Sequence, residues 1–233
     1  MIALPSQTRP TQTRPAPLTL PEDARTLLVV PAVVGVALGI GDLVAMNHIG
    51  YPWANLANAS AVWALGAFLL GVGLRTDPLR SAVAGVVMLL VAVEAYYLWA
   101  VLTDQAGTAT LWSANTRMWL VFGVCAGTVF GIAGSWVTQG EWWQKVVAAA
   151  TGGGVLLGEA LHIWAGLGWT TLSQPGSGYH LDLAWTGLLL AGLGVGVVVA
   201  TGRTPRVLAP ALALSVPTAL FFAAAFSAVG IAA

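Results

Sequence analysis

The chain has 233 residues, of which 58% are hydrophobic and 8% are charged. Soluble domains carry roughly 45–50% apolar and about 25% charged residues, so a soluble globular enzyme is excluded, and so is intrinsic disorder, which needs low hydrophobicity and high charge. Nine Lys+Arg against nine Asp+Glu leave a net charge of zero, which gives no basic face for nucleic acid. The single cysteine, Cys125, lies in the apolar run GVCAG and excludes an internal disulfide or a cysteine-rich metal site.

In chain order, residues 1–24 are rich in Pro, Thr, Gln and Arg without an apolar period, which reads as a flexible tail. A spanning helix needs about 20 apolar residues. Seven stretches qualify: 26–46, 59–74, 81–102, 118–137, 146–166, 183–202 and 208–231. The second is short, and the preceding NLAN extends it. The fold class is therefore all-α, a single seven-helix transmembrane domain over 25–233. A membrane β-barrel would instead show alternating segments of about ten residues.

Seven spans put Arg9, Arg14, Arg25, Arg75, Arg80, Lys145, Arg203 and Arg206 on one side and Arg117 alone on the other. The positive-inside rule then sets the N-terminus in the cytoplasm and the C-terminus outside the inner membrane. Glycines recur at helix-packing spacing: Gly123, Gly127 and Gly131 in span 4, Gly35 and Gly39 in span 1, Gly192 and Gly196 in span 6. Such spacing lets backbones approach closely in lipid. Gly152–Gly154 lacks the preceding strand and following lysine of a phosphate loop. Pro217 falls within span 7, where a kink is expected.

Span 3 contains Glu94-Ala-Tyr-Tyr-Leu-Trp99 and span 5 contains Glu159-Ala-Leu-His-Ile-Trp164, 65 residues on. Arg80 and Lys145 precede the two glutamates by 14 positions each. This pattern points to a duplicated hairpin, spans 2–3 and spans 4–5, in parallel orientation.

Acids inside spans are expensive and mark functional sites. At ~1.5 Å rise per residue, Glu94 and Glu159 stand about 20 Å above the cytoplasmic ends of their helices. Asp42 and Asp182 fall in the same outer half, with His48, Tyr51, Trp53, Asn55, Asn58, Trp63, Tyr97, His162, Trp164, Tyr179, His180 and Trp185. Polar groups gathered at one depth on several helices predict a pocket in the outer half. Trp112, Trp119, Trp142 and Trp143 read as interfacial belt residues. No lysine or arginine within a span pairs with Glu94 or Glu159. Glu159 and His162 have the Glu-x-x-His spacing of bundle metal sites, but Tyr97 stands where a second histidine is needed; no metal or other cofactor is expected.

A carboxylic acid beside Trp and Tyr faces has one natural enzymatic use. It protonates an alkene or epoxide, aromatic faces stabilise the cation, and a neighbouring base removes the final proton. Exclusion of water protects the cation. The catalytic candidates are Glu94, Glu159, His162 and Asp42. Trp63, Tyr97, Trp164 and Trp185, with Asn55, Asn58, Tyr51 and Asp182, form the expected substrate site.

The segment Tyr51-Pro-Trp-Ala-Asn-Leu-Ala-Asn-Ala-Ser-Ala-Val-Trp63, with AFLLG, Tyr96-Tyr97 and Gly158-Glu159-Ala160-Leu161, resembles a family of small actinobacterial integral-membrane proteins of largely unknown function. The likeness covers roughly residues 30–165. Similar small seven-span proteins are membrane-bound terpene cyclases of indole-sesquiterpenoid and fungal meroterpenoid pathways, in which two membrane acids are implicated. The resemblance implies cyclisation of a prenylated or epoxidised prenyl substrate. The lipid bilayer and that lipophilic small molecule are the expected partners. A pocket in the outer half requires a lateral opening, because such substrates arise in the cytoplasm. The rival readings are a proton-coupled transporter, which the parallel repeat suits, and a non-catalytic membrane scaffold, for which the glycine ridges suffice.

Overall fold

A computed structural model describes residues 22–171 and 178–229. The expected tail lies mostly outside these residues. The described chain is all helical: α1 (Glu22–His48), α2 (Trp53–Ala57), α3 (Ser60–Leu74), α4 (Pro78–Leu102), a 3-10 turn (Thr108–Trp112), α5 (Ala114–Gln139), α6 (Trp142–Thr171), α7 (Gly178–Thr201) and α8 (Pro205–Val229). Six helices are long and apolar enough to cross a membrane, and α3 is a shorter apolar helix. The chain is thus a multi-pass, lipid-contacting membrane protein. Large apolar side chains cover its outside, among them Val33, Val121, Val216 and Phe221, each more than 60% exposed. In lipid this surface costs nothing, and the helices satisfy their own backbone groups.

Local sequence sets several helix ends. Asp77 caps α4 by accepting from the Leu79 and Arg80 N–H groups, both at 3.1 Å, with Pro78 at the first helical position. Ser113 caps α5 through the Thr116 N–H at 3.1 Å. Arg75 closes α3 in the left-handed region at φ 50°.

Glycine seams lock the helices together. A Cβ on Gly85 would meet the Gly127 backbone, and one on Gly131 would meet Ser81, so α4 and α5 pack closely and run antiparallel. Gly35 lies against Met88 and Gly39 against Ala92, so α1 and α4 run the same way. The three glycines of α6 are packing surfaces too: Gly152 against Phe68, Gly153 against Gly194 and Gly154 against Thr218. The expected ridge on span 6 is corrected, since nothing lies near Gly192 or Gly196. Gly194, two residues from each, makes the close approach because it alone of the three turns toward α6.

α6 is the central helix, with 72% of its apolar window buried against 22% for α8. It runs antiparallel to α7, as Trp164 meets Gly187, and parallel to α8, as Gly158 meets Phe222. α3 runs opposite to α6, with Phe68 against Gly152 and Ser60 against Glu159. Arg75, Arg80, Lys145, Arg203 and Arg206 gather at one end of the bundle, here called the basic end, and among the described cations only Arg117 lies toward the other. The core holds Phe68, Met88, Leu156 and Leu190. NLAN does not extend the second span as a continuous helix. Asn55 belongs to α2, and the chain breaks at Asn58–Ala59 before α3.

Candidate functional site

That break positions the site. The first N–H groups of a helix need acceptors from outside it. Ala59, the N-cap of α3, has no side-chain acceptor. Glu159 reaches across from α6 and supplies both: Ser60 N–H donates to Oε1 at 3.0 Å and Ala61 N–H to Oε2 at 2.6 Å. The carboxylate also meets the positive end of the helix dipole. Glu159 is only 7% exposed. The partner that the sequence lacked as a cation is a helix end.

A second acid holds the neighbouring wall. Asp42 on α1 is 4% exposed and accepts from Trp63 Nε1–H at 2.9 Å. Its Oδ1 has no hydrogen-bond partner among the described residues. Trp63 meets Tyr96 edge-on at 6.2 Å, and Tyr96 meets Tyr97 edge-on at 5.3 Å. Asn115 Nδ2 donates to the Tyr97 hydroxyl at 2.8 Å. Three rings are thus strung between an acid on α1 and an amide on α5.

These rings wall a cavity of about 810 Å³ among α2 to α8. That lies within the roughly 300–1,000 Å³ of small-molecule sites. Of the sequence-predicted residues, Asn55, Asn58, Trp63, Tyr97, Glu159 and His162 line it together. Glu159 is the sole carboxylate among the described lining residues. His162 Nδ1 lies 3.1 Å from Ser227 Oγ, and its ring packs 6.1 Å from Phe226. Phe130 and Phe222, 5.8 Å apart, narrow the space between α5 and α8. Cys125 and Val129, near the mid-length of α5, line the cavity and are exposed.

The other predicted residues stand elsewhere. Asp42 lies behind Trp63. Tyr51 is exposed, edge-on to Tyr179. Trp164 donates to the Ala184 carbonyl at 3.3 Å and packs on Gly187, joining α6 to α7. Trp185 is 52% exposed. The half-buried Asp182 takes part through its backbone carbonyl, which accepts from the Thr186 hydroxyl at 2.8 Å. Glu94 is exposed on the outside of α4 and has no partner among the described residues. No group of three His, Cys, Asp or Glu gathers as a metal site among the described residues.

Sequence reasoning missed Tyr96, Asn115, Trp119, Phe222 and Phe226, all in the lining. Trp119 reads as an interfacial belt residue in the sequence, and in the structure it turns inward, edge-on to Phe122. Phe222 and Phe226 sit one turn apart on the same face of α8, a signal hidden by the absence of an acid on that helix.

The chain belongs to DUF6518, a family of unknown function, whose model matches residues 19–231. No curated protein and no solved structure matches it.

Proposed function

We propose that this member of DUF6518 takes a lipophilic, isoprenoid-like molecule from the bilayer into the cavity and cyclises it, as a membrane-embedded terpene cyclase. The observation that carries this reading is one carboxylate, Glu159, in an aromatic-walled cavity. In this reading the cavity opens to the bilayer beside the exposed Cys125 and Val129, the lateral route that a bilayer-dissolved substrate needs. Because Glu94 is outside the cavity, the donor role narrows to Glu159.

In this mechanism Glu159, protonated, delivers its proton to a terminal alkene or epoxide of the substrate. The ring closes, and the cation passes along the faces of Trp63, Tyr96, Tyr97 and Phe222. His162 removes a proton from the cyclised cation and returns it to Glu159 through the cavity, so substrate and product are isomers. Capping of α3 fixes Glu159 in place before the substrate arrives.

The reading includes a membrane topology. α3 has 15 residues, or about 22 Å at ~1.5 Å each, short of the roughly 30 Å hydrocarbon layer. α2 and the Asn58–Ala59 link complete it as the seventh crossing. The basic end is cytoplasmic, which puts the cavity in the outer half. α3–α4 and α5–α6 are then the duplicated hairpin, since α1 packs parallel on α4 as α8 does on α6.

The purified protein in lipid nanodiscs, given a prenylated or epoxidised prenyl indole, is expected to form a product of unchanged mass with new ring resonances. E159Q abolishes turnover, while E94Q retains it. Absence of any isomer, or full turnover by E159Q, overturns the proposal.

One observation favours a second reading, a proton-coupled carrier. The interruption between α2 and α3 leaves a helix N-terminus inside the bundle, as at the binding sites of many transporters. Uptake into proteoliposomes driven by a pH gradient distinguishes it from turnover.

A further inference from the structure

Glu94 poses a question that the cavity does not answer. It lies 14 residues beyond Arg80 along α4 and eight short of the helix end at Leu102. That places it about 12 Å inside that end. It is exposed, with Val83 and Leu98 on the same outer stripe. Leu89 and Gly85 face α5. Glu94 follows them by five and nine residues, about 140–180° round the helix. Val91 faces α1, and Glu94 lies about 60° from it, on the outer flank. Lipid offers a carboxylate no partner, and such residues pair with other groups.

A cation lies at the same height. α4 and α5 are in register through Gly85 with Gly127, Ser81 with Gly131 and Tyr97 with Asn115. This register puts Arg117 within one residue of level with Glu94, or ~1.5 Å. Arg117 is exposed on a separate outer stripe with Val121 and Val124, and it too has no partner among the described residues. Within one chain the two charges point to different sides of the bundle. Between two chains in the same membrane they share a depth and carry opposite signs.

We infer that the protein assembles with further copies of itself, head to tail in the plane of the membrane, Glu94 on α4 meeting Arg117 of the partner subunit on α5. A rotation about the membrane normal keeps both groups at one depth, and a heterologous contact of this kind closes into a ring where the rotation is a whole fraction of a turn. Each apolar stripe then carries one charge, and the pair fixes the relative height of the copies.

The test is the mass of the full chain in lipid nanodiscs or vesicles, by native mass spectrometry or photobleaching steps. The wild-type chain is expected to form a defined oligomer. E94R and R117E each weaken association at least tenfold, and the double reversal E94R/R117E restores it. A wild-type chain that stays single at high protein-to-lipid ratio overturns the inference. So does a double reversal no better than either single one. Where a reversal prevents folding, E94Q and R117Q carry the test. Together they weaken association no more than either alone if the two residues pair, and additive losses overturn the pairing.

Discussion

The stretch of α6 around Glu159 and the stretch of α4 around Glu94 share the pattern E-A-x-x-(L/I)-W and the same distance from a basic residue. Their surroundings differ. Glu159 faces inward, because α6 is wrapped by α3, α5, α7 and α8, and it holds two backbone N–H groups. Glu94 faces outward, because α4 is covered by α1, α3 and α5 and leaves its remaining side open. The same short pattern therefore serves as a helix cap in one place and as an outward charge in the other. What decides between them is how many neighbours each helix has.

Removing the inner acid should have the largest effect. E159A leaves the Ser60 and Ala61 N–H groups buried without an acceptor and is expected to cost about 2–4 kcal/mol. Thermal unfolding in detergent measures it, and loss under about 1 kcal/mol would mean that the cap contributes little. W63F comes next. It strips Asp42 of its hydrogen bond and leaves a buried carboxylate with both oxygens unpartnered, at about 1–3 kcal/mol. Asp42 would then lose its hold on the aromatic wall, and intrinsic fluorescence of the remaining tryptophans should report a looser core.

A smaller effect is expected from Y97F, which deletes the acceptor for Asn115 at the partly exposed end of the same wall, at about 0.5–1.5 kcal/mol. The smallest belongs to the outer acid. E94Q should change the unfolding of the dissociated chain by less than about 0.5 kcal/mol. A loss as large as that of E159A would erase the contrast between the two glutamates.

Most of the helices were legible in the chain. The stretch 118–137 lies inside α5, 146–166 inside α6 and 208–231 overlaps α8, because an apolar run in lipid has to satisfy its backbone as a helix. The close α4–α5 seam was also readable from Gly123, Gly127 and Gly131. The site was legible by depth but not by direction. Asn55, Asn58, Trp63, Tyr97, Glu159 and His162 line one cavity, whereas Trp164, Trp185 and Glu94 share their depth and lie outside the lining. Trp119 shows the opposite error, a residue near a helix end that turns inward.

The sequence by itself determined that this protein lives in a membrane, where its helices run and how far along each helix its acids stand, because hydropathy and rise per residue are local properties. Only the tertiary structure decided which acid faces a cavity, which faces outward, and that the second apolar stretch breaks at Asn58–Ala59. A helix's rotation about its axis follows from contacts with all its neighbours at once. The acceptor for the α3 N-terminus comes from a residue 99 positions away, and no local pattern announces it.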